Sequence, residues 1–227
     1  MRLVGALMLV LGATAAQAQG LREMRQARHM SRGGLGFLIA QPVGEFANFV
    51  DVHPGVGASV TVGGPVGLRF GGSLLVYGRA HEYVPVGSGR LLLDIATTNM
   101  IGSLGVGPQL TLGSGPMRLY GYSTIGFSYF ATVSSLGDGC GCYPFGSTTD
   151  FDDFTFAQEA GGGLEIALTR GRAVLLDLSA RYLRNGQARY LREGSIFENG
   201  DGTITVQPIE SAADLVVFQV GLSFGFR

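Results

Sequence analysis

Asp214-Leu-Val-Val-Phe-Gln-Val-Gly-Leu-Ser-Phe-Gly-Phe226 is the stretch that decides the fold. Phe218, Val220, Leu222, Phe224 and Phe226 share one parity, and Gln219, Gly221, Ser223 and Gly225 share the other. A period of two is the pattern of a β-strand, whose successive side chains point to opposite faces. One face is bulky and apolar and the other small and polar, as if hydrocarbon lay outside and a narrow polar interior inside.

The same sorting recurs upstream. Val56, Ala58, Val60 and Val62 alternate with Gly55, Gly57, Ser59 and Thr61. Leu68, Phe70, Leu74 and Val76 oppose Arg69, Ser73, Tyr77 and Arg79, while Leu164, Ile166 and Leu168 oppose Glu159 and Glu165. Val174, Leu176, Leu178 and Ala180 alternate with Asp177, Ser179 and Arg181. Charge always takes the non-apolar parity, which matters because a lipid-facing Arg near the bilayer midplane costs about 2–4 kcal/mol. Tyr120 and Tyr122 fall on the opposite parity from Ile125, Phe127 and Tyr129. Either both tyrosines face the interior with Gly121 outside, or a bulge shifts the register; the first is the expectation.

Eight such runs can be counted, at 35–41, 55–62, 67–80, 97–112, 117–133, 154–168, 173–190 and 214–226. Their links alternate between short turns (63–67, 113–116, 169–172) and long polar segments (42–54, 81–96, 134–153, 191–213). Short turns on one side and long loops on the other are the habit of outer-membrane barrels, and the alternation puts both chain ends on the periplasmic side. The expected fold is therefore all-β, an eight-stranded antiparallel up-and-down transmembrane β-barrel over residues 34–227.

Composition agrees. Gly contributes 38 of 227 residues, Trp is absent and charged residues make up only 15%, unlike a soluble surface. After Ala18 there is no uninterrupted apolar stretch long enough for a spanning helix, so a closed barrel is the remaining way to satisfy backbone groups in lipid. A net charge of −1 and a pI near 6.3 argue against nucleic acid as partner. Met1-Arg2, the apolar run Leu3 to Leu11 and Ala16-Gln17-Ala18 read as a signal peptide over residues 1–18. Residues 19–33 carry Arg22, Arg25, Arg28, His29 and Arg32 and are expected to be a disordered leader or a short interfacial helix. The last strand runs to the end of the sequence, so an anchoring role through a following periplasmic domain is not expected.

The N-terminal signal, the first strand Gly36-Phe37-Leu38-Ile39 and the terminal Val220-x-Leu222-x-Phe224-x-Phe226 resemble the OmpA-like outer-membrane β-barrel superfamily. That resemblance implies a small barrel in the outer membrane. It also implies that Phe218, Val220, Leu222, Phe224 and Phe226 act as the recognition signal of the barrel assembly machinery, with the departure that Arg227 follows the last aromatic.

An eight-stranded barrel has room for side chains but not for an open channel. Arg69, Arg79, Arg118 and Arg181 can be balanced there by Glu159, Glu165 and Asp177, as a structural network or, less economically, a proton or ion path. Catalysis needs a nucleophile beside an oriented base. His29, His53 and His81 lie in the leader or near loops, and His81-Glu82-Tyr83 lacks the His-x-Ser spacing of lipid A deacylases, which some barrels of this size resemble. The stretch Asn199-Gly200-Asp201-Gly202-Thr203-Ile204 looks like the middle of a calcium loop, but Phe197 and Pro208 stand where carboxylates are required, so a hairpin tip is favoured. Cys140 and Cys142, between Asp138 and the patch Asp150, Asp152 and Asp153, make an incomplete zinc set and suggest a small loop disulfide or free thiols. Tyr83, Tyr143, Phe145, Phe151 and Tyr190 read as interface girdles.

No catalytic, cofactor or metal site is expected. The expected function is that of a non-enzymatic, monomeric outer-membrane protein contacting lipid and lipopolysaccharide, with a structural or surface-display role and adhesion through external loops. The alternatives are an outer-membrane lipid-modifying enzyme and a soluble periplasmic barrel binding a small hydrophobic ligand.

Overall fold

The computed structural model describes residues 31–86, 91–113, 115–138, 144–169, 173–191, 196–198, 204–206 and 208–226. The strands are β1 Ser31–Pro42, β2 His53–Gly63, β3 Val66–Val86, β4 Leu91–Leu112, β5 Met117–Asp138 and β6 Pro144–Ala167. They continue with β7 Val174–Asn185, β8 Gln187–Tyr190, β9 Ile196–Glu198, β10 Ile204–Val206, β11 Ile209–Ala212 and β12 Leu215–Phe226. Eight of them close a barrel in the order β1-β12-β7-β6-β5-β4-β3-β2. Every pairing is antiparallel, and β1 meets β12 in unbroken register from Ser31↔Phe226 to Pro42↔Leu215. Closure removes the sheet edge that lipid could not satisfy.

The parity read from the sequence sets the two faces. Phe37, Ile125, Phe154, Phe218 and Val220 are exposed on the outer wall, Phe37 at 78%. Arg69, Arg118, Glu165, Asp177 and Arg181 are buried in the lumen. Tyr120 and Tyr122 are buried inside with Gly121 outside, and β5 keeps one register from Ile166 to Asp152 of β6 with no bulge at the tyrosines. The short turns are built on glycines in left-handed backbone conformation, Gly63 at φ 125° and Gly113 at φ 93°, a region that only glycine enters cheaply.

Four features depart from the sequence reading. β1 starts at Ser31, within the expected leader, so Arg32 belongs to the barrel wall. The links 81–96 and 134–153 are largely strand. β3, β4, β5 and β6 run for 21, 22, 22 and 24 residues, and their mutual pairing persists to Val86↔Leu91, Leu93↔Asp138 and Gly137↔Pro144. A spanning strand needs only about 9–11 residues, so these four continue past the barrel rim as one sheet. The polar composition of these segments had read as loop rather than strand. The run 173–190 breaks at Gly186, where β8 leaves the wall and pairs with β11 from Gln187↔Ala212 to Tyr190↔Ile209. Finally, β3 carries a register shift between Val76 and Gly78.

The signal peptide, His29, Cys140, Cys142, Tyr143 and residues 199–203 lie outside the described residues, as do the side chains of Arg79, His81, Tyr83, Asp138, Phe145 and Asp150.

Candidate functional site: the lumen and its outer mouth

Two chemically different halves fill the lumen. The half toward the short turns is a polar network. Arg32 Nη1 meets Glu165 Oε2 at 3.0 Å, and Ser223 Oγ donates to the other carboxylate oxygen at 3.0 Å. One turn of side chains farther in, Tyr120 donates to Asp177 Oδ1 at 2.7 Å, and Gln219 Nε2 approaches Asp177 Oδ2 at 3.5 Å. Arg181 uses Nη1 to reach Gln219 Oε1 at 2.9 Å and Nε to face Glu159 at 3.0 Å. Arg69 Nη1 and Thr61 Oγ1 both donate to Gln109 Oε1, at 3.1 and 3.0 Å. The Arg69 guanidinium also lies 4.3 Å from the centroid of the Tyr122 ring, a cation–π contact.

Space for these long side chains comes from β6. Gly161 and Gly163 face inward, and a Cβ at Gly163 would stand 2.7 Å from the Tyr120 hydroxyl, one at Gly161 2.6 Å from Arg181 Cβ. Farther out, hydroxyl and amide pairs bridge strands: Ser103 with Ser128 at 2.8 Å, Ser128 to Asn185 at 2.8 Å and Thr132 to Asn99 at 2.6 Å. Arg69, Arg118, Arg181, Glu159, Glu165 and Asp177 are thus brought together as expected. Gln219, already read as facing inward, joins this network, and Gln109 and Asn185 complete it without having been singled out, for uncharged amides carry no signal beyond their parity.

The outer half is apolar, which the sequence reading had not anticipated. Leu38, Leu75, Ile101, Phe130, Leu183, Leu215 and Val217 sit on the inward parity and are almost fully buried. A short 3-10 turn at Phe46–Asn48, between β1 and β2, drops Phe46 into their midst. Its ring meets Tyr190 at 5.1 Å, Tyr77 at 5.9 Å and Phe130 at 6.4 Å, all edge-on, the arrangement aromatic quadrupoles prefer. Tyr190 was expected in an interface girdle. It is instead fully buried in this plug, because β8 turns inward after Gly186 and its hydroxyl meets Ser211 of β11 at 2.8 Å.

Backbone contacts hold the plug in place. Val43 N donates to Asp214 O at 3.0 Å and Ala212 N to Glu45 Oε2 at 3.3 Å. Asp214 accepts from Asn185 N at 3.0 Å and from the Tyr182 hydroxyl at 2.6 Å. At the rim, above the apolar belt, His53 is buried beside Tyr77, with ring centroids 6.1 Å apart and Nδ1 3.0 Å from Asp51 O. Burial pushes its pKa below the ordinary 6.5, against the smaller opposing pull of that carbonyl. Among the described residues its Nε2 has no hydrogen-bond partner.

Asp152 and Asp153 of β6 pair with Ala131 and Phe130 of β5, and Asp153 Oδ2 accepts from Arg189 N at 2.7 Å. Among the described residues no group of His, Cys, Asp and Glu could hold a metal ion.

No protein-family model and no curated protein sequence matches this chain. Among solved structures it is similar to Ail, the attachment invasion locus protein of Yersinia pestis, in complex with the heparin analogue sucrose octasulfate, at 12% identity over 88% of this chain and 99% of that one, with a TM-score of 0.47. It is likewise similar to the outer membrane protein OprG from Pseudomonas aeruginosa, at 11% identity over 88% and 97% with a TM-score of 0.49. A third is outer membrane protein W of E. coli, at 16% identity over 88% and 98% with a TM-score of 0.41.

Proposed function

We propose that this chain is a non-enzymatic outer-membrane barrel that works through the surface it presents outside the cell. The observation that carries the reading is the combination of an apolar exterior with a lumen closed at both levels, by the ionic network below and by the Phe46 plug above. The exposed Leu, Val and Phe belt is the opposite of what a soluble carrier needs. A filled lumen gives no route for bulk transport, and no oriented nucleophile–base pair is present among the described residues. What is left to do the work is the four-stranded extension of β3 to β6 and the loops beside it, acting in adhesion or surface contact.

In this reading the protein is an exported monomer of the OmpA-like superfamily, with lipid and lipopolysaccharide around its belt. The outward Phe218, Val220, Leu222 and Phe224 serve the assembly machinery before they face lipid. The test has two stages. Unboiled protein should migrate as a compact, heat-modifiable species and fractionate with outer membranes; recovery in the soluble periplasm refutes the placement. Cells displaying the full chain should then bind a host-cell or abiotic surface better than cells displaying a version with the 79–98 and 133–150 extensions shortened. Equal binding refutes the surface role while leaving the barrel intact.

A further inference from the structure

Between the ionic network and the apolar plug, small side chains leave a cavity of about 20 Å³. Such a volume admits roughly one water-sized particle. Gly71, Gly105 and Gly126 thin its wall, and Arg69, Arg181, Glu159 and Gln219 line it. Arg181 and Glu159 face each other at 3.0 Å and so neutralise one another. Arg69 is in a different position. It is only 6% exposed, and its one hydrogen bond to a described residue runs from Nη1 to the neutral Gln109. None of the described carboxylates stands within ion-pair distance of it.

The Arg69 Nε–H is buried without an acceptor. An added Cβ at Gly71 would lie 3.8 Å from this nitrogen and within 4 Å of no other atom, so the space between them is open. A charged donor buried in this way is costly unless something accepts from it.

We propose that this cavity is a binding site for one monovalent anion of halide size, held by the Arg69 Nε–H and seated among the hydroxyls of Ser73 and Thr124. The small volume excludes phosphate and sulfate. The Glu159 carboxylate on the same wall disfavours a second negative charge, which restricts the guest to a single one. The ion completes the charge balance of the lumen and fixes Arg69 against Tyr122, so it acts as a built-in structural ligand. A neutral water in the same place is the competing occupant.

The test uses the full chain refolded from urea into detergent micelles in sodium bromide. Anomalous diffraction should show a bromide in the lumen in contact with Arg69 Nε; density there without an anomalous signal means water and overturns the proposal. In solution, chloride should raise the unfolding temperature saturably relative to gluconate at equal ionic strength. The expected rise is roughly 3–6 °C at ten times the dissociation constant. The R69M variant should lose this increment, and the exposed-site variant R184Q should keep it. A halide response retained in R69M, or absent from the wild type, refutes the site. If R69M does not fold, the wild-type diffraction and melting results decide alone.

Discussion

Replacing Phe46 with Ala tests the plug most directly. The ring is fully buried and makes edge contacts with three aromatic neighbours at 5.1 to 6.4 Å. Truncating a buried Phe costs about 3–5 kcal/mol, from lost transfer energy and from the cavity left behind. The upper end applies here, because Phe130, Tyr190 and the barrel wall are fixed by strand pairing and cannot collapse into the gap. Phe37 is the control: it is as large, lies on β1, and is 78% exposed on the outer face. There lipid or detergent fills the space the ring vacates, so the loss should stay below about 1 kcal/mol, since hydrocarbon tails are as apolar as the side chain removed. Equilibrium unfolding in urea, followed by far-ultraviolet circular dichroism because the chain has no Trp, gives both numbers. Equal losses, or a Phe46→Ala cost under about 1 kcal/mol, would show that Phe46 is not a packed core residue.

Three further outcomes are expected. Leu222→Arg puts a charge on the lipid face and should cost about 2–4 kcal/mol and depress membrane insertion, whereas Ser223→Asn, on the lumen side, should insert nearly normally; equal insertion in a cell-fractionation assay contradicts the assigned faces. Glu165→Gln leaves the partly buried Arg32 half-paired and should cost about 1–3 kcal/mol, and the double variant with Arg32→Gln should recover part of it, as a double-mutant cycle by urea unfolding would show. His53 has a folded-state pKa below its unfolded 6.5, so its contribution is intact above pH 6.5 and is lost as pH falls below that value. Melting curves at pH 7.5 and 5.5 should therefore differ more for the wild type than for His53→Gln.

The faces of the barrel were legible because apolar and polar residues alternate along its strands: Arg69 and Asp177 take the inward parity, while Arg184, exposed near the end of β7, is a departure. The two inward tyrosines could be placed for the same reason, as could the turn glycines. What stayed hidden lay beyond the bilayer. The strand extensions 79–96 and 134–153 show no regular apolar alternation in the sequence, and they read as loops. The plug was missed because Leu75 and Val217 sit on the parity assigned to polar contents, because the run holding Ile101 was given no faces, and because Phe46 and Tyr190 arrive from connections whose inward turn depends on contacts distant in sequence. Arg32 was lost to the leader for want of apolar neighbours before Gly33.

The unequal strand lengths shape the outer rim. On the β3 to β6 side, about 12 residues per strand continue past the spanning portion, which at about 3.3 Å each amounts to some 40 Å of ladder. On the opposite side β1, β2, β7 and β12 run for only 11 or 12 residues, and the paired β8 and β11 follow beyond β7 and β12. The silhouette is that of a seat with a high back. In the proposed outer-membrane setting, that ladder carries the chain well clear of the headgroups on one side of the barrel.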